Sequence, residues 1–330
     1  MIKSVPGNER FFLAVTGSCD VDIRLINNNV ISQCKVVKKE RNKYVLMSIP
    51  FVENLPFLDF FSELSEKDTL PAFKDSFEHL LQAISKLADK EIVHFDLKAD
   101  NIIYNTKIGK PQIIDFGISM PIGKDKFDKK LHKYFYVYAP EYYVWPLEVH
   151  MICYFLHGSA PGGGDALSKT DAHLVAEEFV EHHKVLSFLS TKERKQYLSD
   201  CLKVVETYVG MSQEQMVDKV KSSYKTWDNY AISVVYFKLF VELFPREELD
   251  YDRGNNSVFV DQFVRLLLVN MNPYPSKRLS IAETQKQLGN IFGSINGSDT
   301  PLPQKISSQD ILVINEELET LNTFNERGSN

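Results

Sequence analysis

The reading turns on Ile92-Val-His-Phe-Asp-Leu-Lys-Ala-Asp-Asn-Ile-Ile103, followed after a short gap by Ile113-Ile-Asp-Phe-Gly117. Asp96 stands five residues before Asn101, with Lys98 between them, and Asp115 comes nineteen positions after Asp96. Two apolar pairs, Ile102-Ile103 and Ile113-Ile114, flank Lys107-Ile-Gly-Lys-Pro111. Short apolar runs on either side of a turn containing Gly109 predict a β-hairpin. Closing that hairpin sets Asn101 and Asp115 side by side at one end.

These residue types suit phosphoryl transfer. Magnesium is a hard cation and takes oxygen ligands; Asp115 and the amide oxygen of Asn101 can supply them. An acceptor hydroxyl needs a carboxylate to orient it and take its proton, which suits Asp96. Charge developing on the moving phosphoryl group needs a cation, which suits Lys98. An Asp-rich hairpin that merely caps itself would account for one motif, but not for three in order. The set His94-Phe-Asp96-Leu-Lys98-Ala-Asp-Asn101, Asp115-Phe-Gly117 and Ala139-Pro-Glu141 resembles the catalytic loop, magnesium loop and Ala-Pro-Glu motif of protein kinases.

Composition agrees with a globular chain. Of 330 residues, 44% are hydrophobic and 25% charged, enough to build an ample core in one large or two medium domains. A net charge of -6 offers no general attraction to nucleic acid or anionic lipid. Cys19, Cys34, Cys153 and Cys201 form no Cys-x-x-Cys pair, which favours a reduced, cytoplasmic protein over a zinc site. Met1 to Gly7 lacks the apolar core of a signal peptide. The longest apolar stretch, Tyr230 to Phe244, is interrupted by Ser233, Lys238 and Glu242, so no membrane partner is expected.

Upstream of the motifs, Phe11 to Val15, Asp22 to Ile26 and Tyr44 to Ile49 read as short strands. Pro50-Phe-Val-Glu-Asn54 is similar to the kinase hinge, which implies adenine contacts by backbone groups near Ile49 and Phe51. Ala72 to Lys90 has apolar residues at helical spacing and predicts a long helix. By the resemblance it is the central helix of a C-lobe, and His94 braces the loop without doing chemistry. Phe95 replaces the Arg that in many kinases pairs with a phosphate on the activation segment. The segment from Ile118 to Tyr138 has Ser119 as its one Ser and no Thr, so activity is expected to be independent of phosphate there. The run Lys124, Lys126, Lys129, Lys130 and Lys133 reads as a solvated face, with a dock for acidic substrates as its alternative.

The resemblance also pairs Glu141 with Arg278 and sets Asp228, in Trp227-Asp-Asn-Tyr-Ala231, beneath the catalytic loop as acceptor for its N–H groups. Between Glu141 and Asp228 lie 86 residues, far more than an ordinary kinase carries. They begin with a helix, Trp145 to Phe155, and a loop, Gly158 to Gly164. Helices at about 171–189 and 192–209 follow, then Met211 to Ser222. Gly162-Gly-Gly164 lacks the preceding strand and the following Lys of a phosphate cradle, and reads as a linker. His182 and His183 point different ways on a helix and read as surface residues. The Trp145 helix and the helical block are similar to kinases of large cytoplasmic DNA viruses. Those kinases act in the host cytoplasm or are carried in the virion.

The expected architecture is α+β and protein-kinase-like. Residues 1–52 form a reduced N-lobe and hinge, and 53–292 a mainly helical C-lobe with an insertion at about 146–226. Residues 293–330 form a linker and tail, with a short amphipathic helix from Ile311 to Leu321. The implied activity is a serine/threonine protein kinase using ATP and Mg2+, with Asp96 and Lys98 catalytic and Asn101 and Asp115 on the metal. Leu97-Lys98 favours a Ser/Thr acceptor. No glycine-rich loop, strand lysine or helix glutamate precedes the hinge. Lys3 is a candidate phosphate ligand, whereas Lys35, Lys38 and Lys39 read as solvated. A minimal N-lobe, a second chain that completes it, or an inactive pseudokinase scaffold would each account for the gap. A small-molecule phosphotransferase is the remaining reading; Phe116-Gly117 and Ala139-Pro-Glu141 argue against it.

Overall fold

The computed structural model describes residues 2–5, 7–26, 43–122, 131–157, 166–243 and 256–296. Several sequence expectations lie outside those residues. They are the Lys35, Lys38 and Lys39 cluster, the lysines from 124 to 130, the Gly158–Gly164 loop and the helix at 311–321. The side chain of Lys3 is likewise outside them.

A short helix α1 (Asn8–Phe11) follows Gly7, whose φ of 66° is a left-handed backbone that suits glycine. A strand from Phe11 to Val15 is expected from sequence; instead Phe11 closes α1 and Phe12 makes one parallel bridge to Ile113. Both rings are buried, and a helix-to-extended break turns both inward. Strands β1 (Gly17–Asp22) and β2 (Lys43–Ser48) pair antiparallel, Gly17 opposite Ser48. Their apolar side chains remain open: Val45, Leu46 and Met47 are each about 60% exposed.

The body begins at β3 (Asn54–Pro56), α2 (Phe57–Ser62) and the long helix α3 (Glu66–Ala88). That helix starts a turn and a half before the position its apolar spacing predicts. Strand β4 (Ile92–Val93) follows, then the hairpin β5 (Ile102–Asn105) and β6 (Lys110–Ile113). Ile102 pairs with Ile113, and Gly109 takes φ 62° in the turn. Strand β3 adds to β5, giving the antiparallel order β3-β5-β6, while β4 pairs with β7 (Met120–Pro121).

Among the described residues, helices follow: α4 (Leu131–Tyr134), α5 (Leu147–His157), α6 (Lys169–His182), α7 (Thr191–Glu206), α8 (Gln213–Lys221), α9 (Trp227–Leu243), α10 (Asn256–Asn270) and α11 (Ile281–Asn296). Ser168, Ser190 and Ser212 cap α6, α7 and α8 through their side chains. Helix α9 is buried on nearly every side, as an apolar helix without a polar face must be. Tyr236 sits against Phe73 and Phe77 of α3, and its hydroxyl donates to Ser76 at 2.8 Å. His183, expected at the surface, is buried at the end of α6, where its Nε2 lies 2.9 Å from the Tyr230 hydroxyl.

One buried charge pair corrects the sequence reading. Arg278 does not pair with Glu141, which is exposed. It grips Glu148 with two hydrogen bonds, 2.6 and 2.8 Å, both side chains fully buried. Glu148 Oε1 also accepts from Trp227 Nε1 at 3.0 Å and Ser223 Oγ at 3.1 Å. A buried carboxylate must have its lone pairs satisfied, and Pro146-Leu-Glu148 meets that demand where Ala139-Pro-Glu141 does not.

Removing one member of a buried ion pair leaves the other charge stranded. Glu148→Ala is therefore expected to cost about 3–5 kcal/mol, read as a lowered urea midpoint. A loss below about 1 kcal/mol would contradict the assignment. Acid should also weaken the fold. Burial holds His79, His94 and His150 down to about 4 and His183 to about 3, from 6.5. The unfolded chain takes up these protons below pH 6.5 while the folded chain refuses them, so stability drains as pH falls from 6.5 towards 4. A shift of that size is worth on the order of 3 kcal/mol per histidine. Asp228, pushed by burial up to about 6, and Asp96, which burial also raises, work the other way, but they are two groups against four. The thermal midpoint should fall steadily between pH 6.5 and 4; a flat profile there would refute the neutral, buried histidines.

Candidate active site

The loop after β4 is fastened from below by Asp228, in the first turn of α9. Its two carboxylate oxygens accept the N–H groups of His94 at 2.8 Å and Phe95 at 3.1 Å. Burial raises the Asp228 pKa, and those two N–H bonds pull the other way. Phe95 holds φ 72°, a left-handed backbone that costs a bulky residue free energy. Aromatic packing offsets that cost. The ring stacks on Trp145 at 4.7 Å, and Trp145 Nε1 donates to the Phe95 carbonyl at 2.7 Å. The ring also meets Phe135 and Trp227.

His94 is fully buried. Its Nδ1 accepts the Asp96 N–H at 3.3 Å, so the neutral ring keeps its proton on Nε2 and donates to the Ile114 carbonyl at 3.0 Å. The ring thereby ties the loop to the residue just before Asp115. Ser119 is buried as well, and its hydroxyl donates to the His94 carbonyl at 3.1 Å.

On this base sit the polar residues singled out by the sequence. Asn101 Nδ2 donates to the Asp96 carbonyl at 2.8 Å and to the Asp96 carboxylate at 2.7 Å. Lys98 Nζ lies 3.5 Å from the other carboxylate oxygen and 5.6 Å from the centre of the Tyr142 ring. Burial raises the Asp96 pKa, opposed by Lys98 and Asn101, and the Asp115 charge is near enough to add to the rise. Asp115 follows β6 in the register that bonds Ile114 N–H to the Asn101 carbonyl at 2.9 Å. It takes φ 58°, a second left-handed residue, and its Oδ1 accepts the Gly117 N–H at 3.1 Å. A Cβ at position 117 would come within 3.0 Å of that oxygen, so a larger residue there would have to push the Asp115 carboxylate aside.

Asp96, Lys98, Asn101 and Asp115 thus come together at one end of the hairpin. Ile49 and Phe51 do not join them. They lie beyond β2 with 54% and 96% of their surface open. Among the described residues no group of His, Cys, Asp or Glu side chains is arranged to hold a metal alone. Asn101 and exposed Asp115 present two oxygen donors of the hard kind magnesium accepts alongside phosphate and water. Sequence reasoning missed Glu148 and Trp145. A lone Glu in the apolar run Leu147-Glu-Val-His-Met-Ile152 was the available signal, because a carboxylate there must find a cation.

A family model covers this region. Residues 20–145 match the model of the protein kinase domain, less than half of the chain. Sperm motility kinase 2A of Mus musculus is 24% identical over 212 residues, 58% of this chain and 40% of that protein. A probable serine/threonine-protein kinase, fhkD of Dictyostelium discoideum, is 32% identical over 102 residues, 29% of this chain and 13% of that protein. The cell division cycle 7-related protein kinase of Homo sapiens is 29% identical over 79 residues, 24% of this chain and 13% of that protein. The chain therefore spans well under two thirds of these relatives. Over residues 20–145 the chain is thus similar to protein kinase domains.

Proposed function

We propose that the chain is a serine/threonine protein kinase that transfers the γ-phosphate of ATP to a hydroxyl of a protein substrate. The observation that carries this reading is the Asp96 carboxylate. It is held between Lys98 and Asn101 on a loop fastened by Asp228, with Asp115 alongside. Asp96 orients the acceptor hydroxyl and takes its proton as the new O–P bond forms. The bond from the γ-phosphorus to the bridging oxygen breaks, and ADP leaves. Lys98 faces the charge on the transferred group. Asp115 and the amide oxygen of Asn101 would hold Mg2+, which when bound supplies counter-charge to the phosphates. The Ser/Thr preference draws on Leu97-Lys98 and on the names of the relatives.

Adenine contacts near Ile49 and Phe51, and a phosphate contact from Lys3, belong to the same proposal. Buried Ser119 is a brace, which favours activity without phosphate on that segment. Similarity to viral kinases rests on the Trp145 helix and the helical block, and a cytoplasmic setting on the unpaired Cys19, Cys153 and Cys201. No described helix is long and apolar enough to cross a membrane.

A second reading is a kinase-like scaffold without turnover. The open apolar side chains of β1–β2 favour it, and favour equally a partner chain that completes the N-terminal lobe. Transfer of labelled phosphate from ATP to a generic protein separates turnover from scaffolding. Asp96→Asn is expected to lower the rate by about 10²–10⁴ while ATP still raises the thermal midpoint. Asp115→Asn is expected to remove the magnesium-dependent part of that rise. Wild type no faster than either variant would end the kinase reading.

A further inference from the structure

The helical block between Glu148 and Asp228 has no part in the site as described. Its contacts are specific. Tyr138 donates its hydroxyl to Glu178 Oε2 of α6 at 2.6 Å, the short distance of a hydrogen bond to a charged acceptor. The Tyr138 ring stands edge-on to Tyr154 of α5 at 5.0 Å. Tyr154 in turn donates to Asp171 Oδ1 of α6 at 3.0 Å. Asp171 is itself fixed: its N–H donates to the Ser168 cap at 3.1 Å, and the Ser168 hydroxyl donates back to Oδ2 at 2.6 Å. Five residues on, Tyr143 packs against His183 at 5.5 Å, with Lys184 Nζ 5.9 Å from its ring centre.

One helix and the turn after it therefore hold both ends of the stretch 138–143. Between those ends Tyr142 reaches Lys98, and through Lys98 the Asp96 carboxylate. The stretch thus stands one side chain away from Asp96. Short chain segments lose conformational freedom only when something pays the ordering cost. Here the hydrogen bonds and ring contacts to α6 do so before any substrate arrives.

We propose, resting on the kinase reading above, that α6 is a built-in clamp that pre-orders residues 138–143 as the docking edge for the protein acceptor. Tyr138 and Glu178 are its positioning residues; neither touches the reacting atoms.

Tyr138→Phe deletes the hydroxyl and keeps the ring. It is expected to raise the KM for the protein acceptor about tenfold, the worth of one charge-assisted hydrogen bond, with the KM for ATP within about twofold of wild type. Glu178→Ala should do the same, and the double variant should be no worse than either single one, because both remove one interaction. Tyr236→Phe is the control. It also loses a hydrogen bond, to the Ser76 hydroxyl at 2.8 Å, but away from this stretch, and should leave the acceptor KM unchanged. Hydrogen exchange reads the clamp without activity. The amides of 138–143, Pro140 apart, should exchange about tenfold faster in Tyr138→Phe while those of 92–105 keep their wild-type rates. If wild type transfers no phosphate, the kinase reading fails and the exchange result alone decides the clamp. Unchanged exchange at 138–143, or equal rises in both KM values, would overturn it.

Discussion

A single buried carboxylate sets the frame on which the rest depends. Asp228 spends both oxygens on backbone N–H groups of the loop that carries Asp96. An unpaired carboxylate at that depth would be costly, and two unpaired N–H groups nearly so. Neither half is stable without the other, so α9 and the loop are committed to one geometry. The position of Asp96 relative to the core follows from that commitment. His94 extends it sideways: the same ring that accepts the Asp96 N–H donates to Ile114 and so locates Asp115.

Strain and packing are coupled at the same place. Phe95 and Asp115 both hold left-handed backbones that their side chains disfavour. At Phe95 the surrounding rings and the Trp145 indole N–H offset the cost; at Asp115 a carboxylate–amide bond to Gly117 does so. Trp145 directly precedes Pro146 and Glu148, whose charge is bound by Arg278. The loop, the start of α5 and the start of α9 are thus locked into one another through Trp145, Trp227 and Glu148.

Much of this is legible in the sequence, for physical reasons. The hairpin and its register follow from two Ile pairs and a Gly turn, and they alone bring Asn101 beside Asp115. Helix α3 follows from apolar spacing, and α9 from an apolar run too polar to leave the protein. What was not legible depends on burial. Ala139-Pro-Glu141 and Pro146-Leu-Glu148 offer equivalent carboxylates as text, and only the depth of Glu148 and the reach of Arg278 choose between them. His182 and His183 differ in the same way, being neighbours in sequence but on opposite sides of the surface boundary. The left-handed residues leave no trace in composition at all. The strand expected at Phe11 failed because two adjacent rings both had to be buried, which a pleated strand cannot do on one face.

The β1–β2 ribbon has a consequence of its own. Two strands with apolar side chains open on their faces make no core, and such a pair is marginal in water. Its ladder must yield long before the helices do, so the chain comprises a stiff portion and a pliant one. The stiff portion holds the carboxylates and their braces. Ile49 and Phe51 follow directly on the pliant portion, with their side chains open. Whatever binds there must first supply the order that the ribbon lacks, and its apparent affinity is lowered by that amount.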